Sequence, residues 1–212
     1  MKRVFLLGYP LGHSISPAMQ NAAFRAIGLD WKYELLEMPP AEVGGVVARL
    51  RADDCAGANV TIPHKEEMIK LLDGLTDRAR QIGAVNTIIK RDAKLIGDNT
   101  DSYGFVQGLR DAHVDLRNKR VAILGAGGAA RAAAVTLVEL GAARIVILNR
   151  TAARAQSLAG FLRSGYPRAE ISVNDECALA QANFIVNATS VGMAPRGEES
   201  PMMIAFPREA VV

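Results

Sequence analysis

Residues 59–65 read Asn-Val-Thr-Ile-Pro-His-Lys. Asn59 and Thr61 are two positions apart, so on a strand both would face one side, and the amine of Lys65 follows at the predicted start of a helix. An ammonium there meets the unfavourable end of the helix dipole, an unnatural place for mere solvation. Neutral amides and hydroxyls suit a polar ligand, because each can donate or accept. An ammonium can also give a proton to a reacting oxygen, and the amine can take one back. Gly97-Asp98-Asn99-Thr100-Asp101 adds a carboxylate, Asp101, where the two halves of the chain join. Whether Lys65 or Asp101 takes the proton stays open, since neighbouring charges titrate as a pair. Ser14 and Ser16 flank Ile15 in a predicted loop and could both donate to a carboxylate. On spacing alone the simpler reading has Ser16 capping a helix and Ser14 solvated.

A second group of residues has the pattern of a dinucleotide site. Gly125, Ala126, Gly127, Gly128, Ala129 and Ala130 fit G-x-G-x-x-A. Gly125 would allow the tight turn, Gly127 the approach of backbone to a pyrophosphate, and Ala130 close helix-on-strand packing. The loop follows a predicted strand at residues 121–124 and opens a predicted helix at 129–140, which is the context the motif requires. The next predicted strand ends at Leu148, where an enzyme using NAD would carry an acidic residue. Here Asn149, Arg150 and Thr151 follow, then Arg154. With no carboxylate to repel a 2′-phosphate and two guanidiniums to pair with it, the pattern argues for NADP over NAD. The competing reading is two solvated arginines at a helix start.

These residues need positioning elements. Apolar periodicity predicts strands at 4–7, 31–36, 58–62, 85–89 and, as a hairpin partner, 95–96, with helices at 17–27, 41–51, 65–72 and 79–82. Ser16 is the expected N-cap of the first helix, and Gly28 lies just past its end. After a connecting helix at 102–113, a second series follows: strands at 121–124, 145–148, 171–173 and 184–187, helices at 129–140 and 152–162. Strands alternating with helices imply βαβ units and a mostly parallel sheet. The boundary between the two α/β domains falls near residue 100.

Composition agrees with a folded protein acting on small molecules. Half of the 212 residues are apolar and 22% are charged. The excess of basic over acidic residues is 25 − 22 = +3, spread along the chain, so there is no footprint for nucleic acid. Cys55, Cys177 and three scattered histidines form no metal-ligand pattern, so no metal is expected. The apolar run after Met1 breaks at Gly8 and Pro10, too short for a signal peptide, and nothing approaches a membrane span. A reduced cytoplasm is the expected location.

Seven motifs in order carry a family resemblance: S-x-S (Ser14, Ser16), N-V-T-x-P-x-K (residues 59–65), G-A-V-N-T (83–87), G-x-N-T-D (97–101), G-A-G-G-A-A-R (125–131), N-R-T (149–151) and N-A-T-S-x-G-M (187–193). Across nearly its whole length the chain resembles the shikimate dehydrogenase family. The resemblance implies an N-terminal substrate-binding and catalytic α/β domain (1–100), a Rossmann-like NADP-binding domain (101–212), and a cleft between them. It implies that Ser14, Ser16, Asn59, Thr61, Lys65, Asn86 and Asp101 hold shikimate or 3-dehydroshikimate, with Lys65 and Asp101 as the catalytic pair. It implies that Asn149, Arg150, Thr151 and Arg154 take the adenosine phosphate, that Thr189 contacts the cofactor, and that Met193 lies near the nicotinamide. A homodimer is the candidate assembly. The family pattern continues beyond Val212 with a stretch that completes the cofactor domain and returns a helix to the substrate domain. The chain thus resembles a form without that stretch, which keeps a weakly active or non-catalytic NADP(H)- or shikimate-binding protein as an alternative. Quinate/shikimate dehydrogenase is the nearer alternative, and a methylene-tetrahydrofolate dehydrogenase a more distant one whose first-half motifs differ.

Overall fold

A computed structural model describes residues 1–193, 197–201, 207 and 210–211. The chain divides into two compact units, Met1–Thr100 and Asp101–Val212.

The first unit is a six-stranded sheet in the order β2-β1-β3-β5-β6-β4. Its strands are β1 (Lys2–Gly8), β2 (Trp31–Glu37), β3 (Cys55–Val60), β4 (Gly74–Leu75), β5 (Thr87–Arg91) and β6 (Lys94–Asp98); its helices are α1 (Ser16–Ala26), α2 (Val46–Arg51) and α3 (Asp77–Ile82). The apolar run at the start of β1 is continuous because both its faces are covered. Phe5 and Leu7 join a cluster with Val46, Leu50, Met68, Val85 and Leu95. Leu6 points the other way, into a smaller cluster with Leu11 and Tyr33, against which Val4 and Phe24 pack.

Several expectations change here. The sheet is rich in parallel pairs, as expected, with β1 parallel to β2 and β3 and β4 to β6, but β3/β5 and β5/β6 are antiparallel. The cause is a two-residue turn, Asp92 (φ 49°) and Ala93 (φ 63°), whose left-handed backbone folds β5 directly back on β6. The apolar stripe that predicted α1 is not the face it buries; Met19 and Ile27 are exposed. Instead Asn21 clamps the helix to β2, its amide bonding both the N–H and the C=O of Tyr33 (2.8 and 2.9 Å). Ser16 is the first helical residue rather than its cap, while Gly28, at φ 71°, does close the far end. The helix expected at 65–72 is a turn followed by a 3-10 segment, Glu67–Lys70. The carbonyl of Lys65, which a helix would give to residue 69, accepts instead from Val85 N–H at 2.7 Å, and Ile69 N–H turns to Glu66. Lys65 therefore meets no helix dipole.

The second unit begins with α4 (Asp101–Asp111) and continues β7 (Arg120–Leu124), α5 (Gly128–Glu139), β8 (Arg144–Leu148), α6 (Ala152–Gly165), β9 (Glu170–Val173), α7 (Glu176–Ala180) and β10 (Phe184–Asn187). The four strands are all parallel, in the order β10-β7-β8-β9. Chain order reverses between β7 and β10, the switch point outside which doubly wound sheets bind ligands. Helix α5 buries Ala130, Ala132, Ala133, Ala134, Val135 and Leu137, small residues that let it lie close to the sheet. The short α7 was not anticipated; Asp175 caps it, accepting from Ala178 N–H at 3.0 Å. Among the described residues no helix is long and apolar enough to cross a membrane.

A Cβ at Gly57 would lie 2.6 Å from the backbone oxygen of Ile88 on the neighbouring strand. Main chain cannot rotate away as a side chain can. Gly57→Ala should therefore force β3 and β5 apart and destabilise the first unit by about 1–3 kcal/mol, read as a lowered urea midpoint.

Candidate active site

In the first unit the polar residues gather at the edge where β1, β3 and β6 end and β5 begins. Asn59 pairs with Thr87 in register, and Thr87 with Asp98. Thr61 lies just past β3, yet its N–H still reaches Leu7 C=O on β1 (2.8 Å). Its methyl, with a Leu11 methyl, fills the place a Cβ would take on Gly8, so glycine at the end of β1 admits Thr61 to the edge. Val60 N–H donates to Asn86 C=O (2.7 Å), which joins the β3 end to the residue before β5.

Side chains extend this network. The Tyr33 phenol donates to Asn59 Oδ1 (2.8 Å), and the Asn59 amide reaches Asn86 C=O and Thr87 Oγ1, each at 3.4 Å. Asn86 Oδ1 accepts from the Thr87 hydroxyl and from Thr100 N–H, both at 2.9 Å. Asp98 accepts from Asn99 N–H (2.8 Å), and the buried Asn99 amide donates to Ala84 C=O (2.9 Å). Asn59, Thr61, Asn86 and the Lys65 turn are thus tied together, and Thr100, held by Asn86, directly precedes Asp101 in the chain. Ser14 and Ser16 lie in the loop leaving β1. Ser14 N–H bonds Leu11 C=O (2.8 Å), its hydroxyl accepts from Ser16 N–H (3.3 Å), and the Glu37 carboxylate holds Leu11 N–H.

Three supports were not singled out from sequence: Glu37 beneath the serine loop, Tyr33 behind Asn59, and His64. The last is buried beside Lys65, with Nε2 2.7 Å from Met38 C=O. Each is an ordinary residue whose role depends on a partner at least 26 positions away, and no local motif reports that.

In the second unit the glycine loop, Asn149 and Asn187 lie at the carboxyl ends of three adjacent parallel strands. Gly125 takes φ 111° and donates its N–H to Leu148 C=O (2.8 Å). A Cβ there would meet Ala188 O at 2.9 Å, so the close approach that needs glycine at 125 is by the protein's own backbone. At Gly127 a Cβ would meet nothing closer than Arg154 Nη2, at 3.9 Å. Helix α5 opens at Gly128 with no side-chain cap, next to Ala126, Ala129 and Ala130 of the loop. Asn149 is pinned by Asn174, whose Oδ1 accepts its N–H (3.0 Å), and its own amide bonds Thr151 C=O (2.9 Å). Arg150, Thr151 and Arg154 are exposed beside it. The Thr189 hydroxyl donates to Asn187 Oδ1 (2.8 Å) and its methyl lies against Gly125, while Met193 is exposed in the loop beyond. Free helix N–H groups, an arginine at the glycine loop and no opposing carboxylate at the β8 end fit a phosphorylated dinucleotide.

Comparison with known proteins places both halves of the chain in one family. A model described as the shikimate dehydrogenase substrate binding domain matches residues 6–88, and one described as shikimate / quinate 5-dehydrogenase matches residues 109–208. The shikimate dehydrogenase (NADP(+)) of Symbiobacterium thermophilum is 45% identical over 203 residues, covering 93% of this chain and 69% of the relative. The chain belongs to the shikimate dehydrogenase family. The family enzyme of Geobacillus kaustophilus is 43% identical over 217 residues, spanning 100% of this chain and 78% of its own. The crystal structure of shikimate 5-dehydrogenase from Thermus thermophilus, in complex with NADP(H) and shikimate, superposes with a TM-score of 0.84 at 35% identity, covering 99% of this chain and 77% of that one.

Burial pushes the Tyr33 phenol from 10.0 up to about 12. The folded chain therefore holds this proton more tightly than the unfolded one. The resulting stability is complete below pH 10 and lost as pH rises to 12, about 2–3 kcal/mol in all. Denaturant titrations at pH 8, 10 and 12 should show that extra loss in the unmutated chain and not in Tyr33→Phe.

Proposed function

We propose that this chain catalyses the reversible, NADP-dependent reduction of 3-dehydroshikimate to shikimate, a step in making aromatic amino acids. The observation that carries the reading is the pairing of two carboxyl-edge sites in one chain. One offers amides and hydroxyls around a lysine turn; the other offers a glycine loop flanked by arginines and no acid. Residues 1–100 are read as the substrate-binding and catalytic domain, and 101–212 as the NADP-binding domain.

In this reading the Ser14 and Ser16 hydroxyls donate to the ring carboxylate, while Asn59, Thr61 and Asn86 bond the ring hydroxyls. Neutral partners suit this task, because a site built to hydrogen-bond hydroxyls rejects rings that lack them. Lys65 and Asp101 hold and move the proton at the carbonyl oxygen, giving it up in reduction and recovering it in oxidation. NADPH, when bound, supplies the hydride to the ketone carbon. The backbone of Gly125, Ala126, Gly127, Gly128, Ala129 and Ala130 and the start of α5 would take the pyrophosphate. Asn149, Arg150, Thr151 and Arg154 would take the 2′-phosphate end, and Thr189 and Met193 would contact the nicotinamide side. The reading carries with it a cytoplasmic location; a homodimer is the assembly to check by light scattering.

The deciding assay is the loss of NADPH absorbance with 3-dehydroshikimate, run beside 3-dehydroquinate and beside NADH. Turnover with NADPH and 3-dehydroshikimate is expected; its absence overturns the reading, and equal turnover with dehydroquinate makes the chain a quinate/shikimate enzyme. NADPH should be preferred over NADH, and Arg150→Ala and Arg154→Ala should each remove about 10- to 100-fold of that preference, the worth of one charge-assisted hydrogen bond. Lys65→Ala should lower kcat by roughly 10²–10⁴-fold with the NADPH dissociation constant unchanged. Asp101→Asn should fall comparably, and the double variant should be little worse than the poorer single one, as for residues acting together. Multiplicative losses would mean independent roles.

A further inference from the structure

Tyr33 belongs to no motif and lies on β2, separated from β3 by β1. Its ring is in the small core cluster with Leu6 and Leu11, and only 3% of the residue is exposed. Both its backbone polar groups are fastened by Asn21. From that fixed base the phenol crosses to the site edge and donates to Asn59 Oδ1. Resting on the function proposed above, we propose that Tyr33 is a positioning residue, which fixes the sense of a hydrogen-bond chain so that Asn59 and Asn86 both face the substrate as N–H donors.

The argument is one of direction. The Asn86 carbonyl can only accept, and it already takes Val60 N–H. The group of Asn59 facing it must therefore be the amide NH2, since the flipped side chain would set Oδ1 against a carbonyl oxygen. The Thr87 hydroxyl sends its proton to Asn86 Oδ1, leaving its lone pairs toward the Asn59 amide. Asn86 Oδ1 also accepts Thr100 N–H, and its Nδ2 reaches Thr100 Oγ1 at 3.0 Å. In both asparagines, then, the oxygen is taken by protein donors at 2.8–2.9 Å. The Asn59 amide is held only by two contacts of 3.4 Å, long enough to yield to a better acceptor. A ring hydroxyl oxygen is such an acceptor. The phenol's proton, held up to about 12 by burial, keeps Tyr33 a donor at every pH at which the enzyme would be assayed.

Without the phenol, Asn59 Oδ1 loses its strong partner, and only the two 3.4 Å contacts are left to hold the amide in place against the ring. Tyr33→Phe keeps the ring in its core and deletes only the hydroxyl. In the full chain it should raise the KM for 3-dehydroshikimate and the dissociation constant of shikimate about 5- to 30-fold, the worth of one directed hydrogen bond. The change in kcat should stay under about threefold, and the KM for NADPH should not move, because the proton-transfer groups and the second unit are untouched. In an Asn59→Ala background the same substitution should add nothing, since it acts through that amide. Asn59→Asp, which still accepts from Tyr33 but has no N–H to offer, should lose as much shikimate affinity as Asn59→Ala.

A Tyr33 that served only the core would lower the melting temperature and leave the KM unchanged, or would shift KM equally in the Asn59→Ala background; either result overturns the proposal. So would Asn59→Asp binding shikimate as tightly as the unmutated chain. An unmutated chain that neither binds shikimate nor oxidises NADPH overturns the proposed function and this role with it. An active unmutated chain with unaltered KM in Tyr33→Phe overturns only the role of Tyr33.

Discussion

The bond from Val85 N–H to the Lys65 carbonyl carries much of the first unit's architecture. It withdraws the acceptor that a helix starting at Lys65 would need and so holds residues 62–66 as a turn. One residue further on, Asn86 C=O accepts from Val60. Two consecutive residues thus tie the turn bearing the amine to the end of the strand bearing Asn59. Without the pair, the segment 61–72 would be free to wind into the helix its composition favours, and Lys65 would leave the edge where the amides gather. The second unit follows the same logic, with Gly125 bonding the end of β8 while Leu124 C=O receives Ala188 N–H from beyond β10. In both units the site is made where strand ends are sewn together, and side chains are placed as a consequence.

That pattern explains what could be read from sequence. The glycine loop was legible because its requirements are local: a strand before, a helix after, and a residue able to hold φ 111°. Asn149 and Arg150 follow the end of β8, where the sequence pattern expects them, and Arg154 lies in the first turn of α6. The hairpin partner of β5 was legible from its apolar pair, although the antiparallel course of β5 against β3 was not, since β5's direction is set by what it pairs with. The helix at 65–72 was misjudged because its period is real and a distant N–H overrides it. Ser16 suits a cap by type, but it is the first residue of α1, and Ile15 stands at the cap position with no side-chain bond. Tyr33, Glu37 and His64 gave no local signal.

The two sites also differ in how they are supported. Asn59 and Asn86 are bonded through side chains and backbone and partly buried, a rigid surface suited to reading where hydroxyls are. The arginines of the second unit stand on exposed backbone at the start of α6, where a long, mobile side chain can follow a phosphate.

The notch at Gly8 constrains history as well as packing. The Thr61 methyl lies where a Cβ at position 8 would be. The two positions therefore cannot drift independently: a side chain at 8 needs room from Thr61 and from Leu11, whose methyl would lie 2.7 Å from the new Cβ, with the Ile62 backbone oxygen at 3.0 Å. Any lineage that keeps Thr61 is committed to glycine at the end of its first strand.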